Sequence, residues 1–150
     1  MVSHTVEYAL RAVIYLARRQ GGEGSLPAQQ IAEATGVPPN YLPKVLAPLV
    51  RAGILSAVRG VRGGYGLLRD PAELRVLDVV SCVDPIARVD RCPKCLPEHQ
   101  HQLCPLHRLL DRAAEGTEQA FAAVSIRDLV EAESRSESDP LSSPRPLSGV

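Results

Sequence analysis

The stretch "RCPKCLPEHQHQLCPLH", from Arg91 to His107, gathers three cysteines and three histidines into seventeen residues. Cys92-x-x-Cys95 and Cys104-x-x-His107 make two chelating pairs separated by eight residues. Three thiolates and one imidazole suit a closed tetrahedral zinc site. The same donors suit an iron–sulfur cluster, because thiolates select both. A redox dithiol fits less well. It wants its Cys-x-x-Cys at a helix N-terminus, and "CPKCLPEHQ" carries prolines and no helical pattern. The residues alone leave zinc and cluster open. His99 and His101 read as solvated loop residues, Cys82 as core packing on an apolar helix face, and His4 as an exposed residue near the first helix.

The chain around these residues has 150 positions, enough for a modest core, and 45% of them are apolar. No apolar run approaches the roughly 20 residues that cross a bilayer. The N-terminus lacks the basic-then-apolar layout of a signal peptide. A cytoplasmic protein with no membrane partner is expected. Reducing conditions there turn clustered cysteines toward metal or redox chemistry rather than disulfides. The zero net charge hides an asymmetry. Residues 1–70 hold 8 Lys/Arg against 4 Asp/Glu, and residues 71–150 hold 9 against 13. A basic first half fits a polyanionic partner.

Several elements are needed to position this chemistry. "SHTVEYALRAVIYLARRQ" reads as a helix with Val6, Leu10, Val13, Leu16 and Ala17 on one face, Ser3 as its cap and Gly21-Gly22 as its end. "PAQQIAEATG" reads as a second helix, with Pro27 in its first turn and Gly36 closing it. "VPPNYLPKVLAPLVRAG" reads as a third, with Leu42, Val45, Leu46 and Leu49 buried. The pair forms a helix-turn-helix built on Ile31, Ala32, Ala34, Gly36 and Val37. "ILSAVRG", the turn "VRGG" and "YGLLRD" read as a β-hairpin, a wing carrying Arg59 and Arg62. Glycines there let backbone approach a ligand, and arginines supply charge for phosphates or the minor groove. "LRVLDVVSCV" reads as an amphipathic helix. After the cysteine segment comes a long helical stretch broken near Ser125, with a heptad-like seam of Leu106, Leu110, Ala113, Thr117, Ala120 and Val124. From Ser134 the chain is rich in Ser and Pro and reads as disordered.

Three motifs in this order and spacing, "EYALRAVIYLA", "IAEATGVPPNYLPKVLAPLVRAGIL" and "RGGYGL", resemble the Rrf-two family of bacterial winged-helix regulators over about residues 1–131. The resemblance implies a homodimeric transcription regulator whose long C-terminal helix pairs the protomers. A subgroup carries an iron–sulfur cluster in the loop before that helix, where the cysteine segment lies. In the iron–sulfur cluster regulator, a histidine three positions after the third cysteine completes the ligand set, and His107 matches it. In the nitric-oxide-sensing repressors the fourth ligand is an acidic residue before "YAL", and Glu7, from the partner protomer, matches that. Two departures stand out. Cys92 and Cys95 lie closer together than the family's first two cysteines, and Pro43 and Pro48 fall in the expected recognition helix.

The expected fold is mainly α with a small β-hairpin wing: a winged helix-turn-helix followed by a long C-terminal dimerisation helix. The expected divisions are a DNA-binding domain over 1–83, a cysteine-rich loop over 84–104, a dimerisation region over 105–133 and a disordered tail over 134–150. Metal ligands are Cys92, Cys95 and Cys104 with His107, or Glu7 in its place, holding a 2Fe–2S cluster ahead of a 4Fe–4S one, with zinc as the alternative cofactor. DNA contacts fall to Asn40, Tyr41, Lys44, Arg59 and Arg62, on a near-palindromic double-stranded operator. The second function class is a winged-helix regulator with a structural zinc and no sensing. An enzyme is not expected, since the chain offers no phosphate loop and no nucleophile–base pair.

Overall fold

The computed structural model describes residues 2–20, 24–92 and 103–137. Among these described residues, six helices and a two-stranded antiparallel sheet follow in the order α1 (His4–Arg18), α2 (Ala28–Thr35), α3 (Leu42–Arg51), β1 (Leu55–Val58), β2 (Gly64–Leu67), α4 (Val76–Val83), α5 (Pro105–Ala123) and α6 (Ile126–Glu137). The expected fold class, mainly helical with a hairpin wing, is what the chain adopts.

The Ser3 side chain accepts from the Val6 amide and caps α1 as expected. The buried face of α1 is Val6, Ala9, Ala12, Val13 and Leu16; Leu10 and Ala17 are only half buried. Alanine lets neighbouring helices come close, so the small residues take the innermost positions that the apolar count gave to Leu10. Gly21 and Gly22, the expected stop, lie outside the described residues.

Helices α2 and α3 form the helix-turn-helix. Gly36 ends α2 at φ 70°, the left-handed region where a side chain is costly. Ile31 and Ala32 are buried, whereas Ala34 points outward. Helix α3 starts at Leu42, later than the sequence reading, which places Pro43 in its first turn, where no intrahelical donor is lost. Pro48 stays inside the helix and removes one donor there. Leu42, Val45, Leu46 and Leu49 are fully buried.

The hairpin pairs Leu55 with Leu67 and Val58 with Gly64. A third backbone segment joins it. Leu26 and Tyr65 exchange both amide bonds, at 2.9 and 2.8 Å, an isolated bridge without sequence periodicity to announce it. This bridge explains Gly64, and the tight hairpin turn explains Gly63. A Cβ on Gly64 would lie 1.9 Å from the Leu26 carbonyl oxygen, and one on Gly63 would lie 2.2 Å from that of Val58. The close approach is therefore to the protein's own backbone.

Helix α5 contains no buried residue. After it the chain bends at Val124 and returns to the winged domain. The Val76 amide donates to the Val124 carbonyl at 3.0 Å, and the Ile126 amide donates to Leu74 at 2.8 Å. Ile126 is 0% exposed, and burying such a side chain contributes about 1.5–3 kcal/mol. Ser125 and Asp128 cap α6 reciprocally, with Oγ to Oδ2 at 2.7 Å and the Asp128 amide to Oγ at 3.1 Å. Arg127 pairs with Asp70 at 2.9 Å, and Arg18 pairs with Glu133. Helix α6 runs to Glu137, past Ser134, where the sequence places the start of the tail. No helix among the described residues is long and apolar enough to cross a membrane.

Candidate metal centre and nucleic-acid interface

Two elements bring the cysteine chemistry together. The segment after α4 delivers Cys92, and the start of α5 delivers Cys104 and His107. The thiol and imidazole ligand atoms of these three residues lie within 4.8 Å of one another. Cys104 is the N-cap of α5: the His107 amide donates to its sulfur at 3.5 Å, and His107 Nδ1 lies 3.0 Å from it. The Cys-x-x-His spacing thus folds as one helical turn that places both donors on the same side. Cys92 is buried. Cys95, the expected third thiolate, lies outside the described residues, as do His99 and His101.

The donor set fits a thiophilic metal. Bond lengths of about 2.3 Å to sulfur and 2.0 Å to nitrogen put tetrahedral donors roughly 3.5–4 Å apart, so three atoms within 4.8 Å need little rearrangement to converge on one ion. The Cys104 thiol is also prepared for binding. The His107 amide first, then the imidazole, lower its pKa from 9.0 to about 7, with a smaller contribution from the Cys92 thiol. Cys82 behaves oppositely: burial first, then Asp78, raises its pKa, in keeping with a packing role. Glu7, the rival fourth ligand assigned to a second protomer, lies in the first turn of α1 and pairs with Arg11. His4 is exposed, as expected.

The face of α5 turned toward its own protomer carries His107, Asp111, Ala114, Glu118 and Phe121, all half buried. The expected seam is another face: Leu106 (60% exposed), Leu110 (49%), Ala113, Thr117 and Ala120 are open to solvent, and only Val124 is half buried. Leu109 joins them at 65%. A cleft of about 500 Å³ lies between the start of α1, the end of α4 and α5, lined by Val6, Val80, Ile86, Ala113 and Phe121 among others.

The residues expected to meet DNA are placed as follows. Asn40 and Lys44 are exposed at the start of α3, and Arg59 and Arg62 are exposed on the wing without an ion pair among the described residues. Tyr41 is different. It is half buried, its hydroxyl lies 3.0 Å from Thr5 Oγ1, and its ring meets Tyr8 edge-on at 6.1 Å. Lys44 Nζ lies 5.7 Å from that ring. Tyr41 therefore anchors the start of α3 to α1 and lies beneath Lys44, a placement that helical spacing does not reveal.

Three comparisons converge with this geometry. A family model described as Rrf2, iron-dependent transcriptional regulator, matches residues 2–132. The chain belongs to the Rrf2 family of transcriptional regulators. It is 32% identical to a protein of Rhodobacter capsulatus named as an rrf2-like HTH-type transcriptional regulator, over 97% of this chain and 95% of that one. Among solved structures it is similar to CymR (YrzC), the global cysteine regulator of B. subtilis, at 25% identity and a TM-score of 0.70, covering 88% of this chain and 97% of that one. It is equally similar to IscR of T. potens, at 25% identity and 0.70, covering 89% and 88%.

The lowered Cys104 pKa makes a direct prediction. In reduced, metal-free protein, alkylation of Cys104 followed site by site by mass spectrometry should rise with pH through a midpoint near 7. In His107→Ala that midpoint should move up part of the way, because the imidazole that favours the thiolate is gone while the backbone amide at that position remains. An unmoved midpoint would show that the imidazole does not tune this thiol.

Proposed function

We propose that this Rrf2-type regulator is a homodimer whose operator binding is controlled by an iron–sulfur cluster. Residues 1–83 read DNA, 84–104 hold the cluster and 105–133 pair the protomers. The observation that carries the reading is the convergence of Cys92, Cys104 and His107 at the joint between the winged domain and α5. Cys95 supplies the third thiolate and His107 the fourth donor, with Glu7 of a second protomer as its rival. The family's description as iron-dependent favours iron over zinc. When bound, a 2Fe–2S cluster supplies a centre that changes charge and integrity with its redox surroundings. The chain's own part is to hold Cys104 as a thiolate near neutral pH and to present an imidazole, a donor more readily lost than a thiolate.

On the DNA side, Asn40 and Lys44 face the major groove from the start of α3, with Tyr41 fixing their placement. Arg59 and Arg62 hold the wing on backbone or minor groove. The exposed Leu106, Leu109 and Leu110 supply an apolar pairing face. Two copies related by a twofold axis then read a near-palindromic site. Ordering the cysteine segment changes the angle at which the two α3 helices are offered. Moving such an equilibrium from 1:99 to 99:1 takes about 5.5 kcal/mol of differential stabilisation.

Three measurements test this reading. Arg62→Ala should weaken binding to every DNA sequence and reduce the salt slope by about one charge; an unchanged slope removes Arg62 from the interface. Leu110→Asp should yield monomers in sedimentation, because it puts an unpaired charge in the pairing face; a dimer of wild-type stability would refute that face. Anaerobically prepared wild type should be brown and carry iron and sulfide, and the triple Cys→Ser variant at 92, 95 and 104 should be colourless with a different operator affinity. Equal affinities would sink cluster control, and a colourless wild type holding stoichiometric zinc would support the structural-zinc reading instead.

A further inference from the structure

An ion-pair cluster outside the donor set bears on how that set is assembled. Arg88 grips Asp111 with both arms of its guanidinium, Nε to Oδ1 at 2.7 Å and a terminal nitrogen to Oδ2 at 2.9 Å. Its other terminal nitrogen reaches Glu118 Oε2 at 3.0 Å. The Val89 amide donates to the same Asp111 oxygen at 3.0 Å. Most exposed ion pairs contribute little, but a bidentate fork joined to a second carboxylate and a backbone amide is the arrangement that does hold geometry. Its two ends lie next to the site. Val89 is three residues before Cys92, and Asp111 is one helical turn beyond His107 on the same half-buried face of α5.

We propose that Arg88 is a positioning residue for the metal centre: its fork on Asp111 and Glu118 pins the segment before Cys92 along α5 and so presents the Cys92 thiol to Cys104 and His107 before any ion arrives. This inference rests on the reading of those three residues as ligands. Two of them, Cys104 and His107, are set by one turn of α5 and need no outside help. Cys92 comes from a segment with no helix or strand of its own, and an untethered segment must be ordered at the moment of binding. The fork takes that ordering cost out of the binding step. Asp111 and Glu118 lie two turns apart on α5, so a single guanidinium between them also fixes the direction in which the segment runs.

The test uses reduced, metal-free full-length protein with Co(II) as probe. Sulfur-to-cobalt charge transfer reports thiolate ligation, and a competing chelator gives the affinity. Arg88→Ala and Asp111→Asn should each weaken Co(II) by about 10–100-fold, the usual effect of losing a partner that orients a ligand. The double variant should be little worse than either single one. The exchanged pair Arg88→Asp with Asp111→Arg should recover part of the loss, a recovery that a general loss of fold would not give. Arg88→Lys keeps the charge but not the fork, and should still bind several-fold more weakly than wild type. If Arg88→Ala loses helix content, this lysine variant decides. Wild-type affinity in Arg88→Lys and Arg88→Ala overturns the positioning role and leaves the metal reading intact. Wild type that shows no charge-transfer band, or a Cys104→Ser variant that binds Co(II) as well as wild type, overturns the metal reading and the positioning role with it.

Discussion

A helix of nineteen residues with no fully buried side chain has to be held by contacts at its ends and along one half-buried face, and the architecture of this protein follows from that constraint. An isolated helix of this length is marginal in water. At the start of α5 Cys104 caps the helix, and along its first two-thirds the Arg88 fork on Asp111 and Glu118 ties it to the segment that leaves α4. At the other end, Val124 and Ile126 bond to Val76 and Leu74, and the Ile126 side chain closes the core of the winged domain. The helix rests on half-buried Ala114 at its middle and Phe121 near its far end, and leaves its leucines open.

This way of holding a helix separates two kinds of work. The far end is seated by the buried Ile126 side chain and by backbone bonds to Leu74 and Val76. The cysteine end is polar and titratable: Asp111 is held at a pKa of about 2 by Arg88 and the Val89 amide, and Cys104 at about 7 by His107. A chemical event at the cysteine end therefore acts on the end of α5 held by polar contacts, while the other end stays seated. The first turns of α1 stand close to both functional regions. Val6 lines the cleft beside α5, and Thr5 and Tyr8 brace Tyr41 at the start of α3.

Much of this was legible from the chain. Helical spacing locates every helix of the winged domain, and the buried face of α3 is legible residue by residue because Leu42, Val45, Leu46 and Leu49 are large and regularly spaced. The Cys-x-x-His pair was legible because one turn of helix fixes its geometry. What escaped depends on contacts between distant parts of the sequence. The Leu26–Tyr65 bridge involves one residue pair and leaves no period. The break at Ser125 was visible, but the return of α6 onto Leu74 was not. Arg88 carries no local sign of its partners 23 and 30 positions on. The heptad-like seam reads as a face for pairing with another helix; in the single chain it faces solvent, and periodicity reports an apolar face and not what covers it.

The wing glycines have a consequence for how such a hairpin can diversify. Gly63 and Gly64 are fixed by backbone atoms less than 2.5 Å from where a side chain would begin, so neither can vary without dismantling the turn. The exposed tip between the strands is left with Arg59, Val61 and Arg62 as its changeable side chains. Val61 is fully exposed and touches nothing that the fold needs. Drift in what this wing prefers is thereby channelled through three positions on an otherwise rigid frame, and divergent relatives that keep the two glycines should differ in wing chemistry chiefly there.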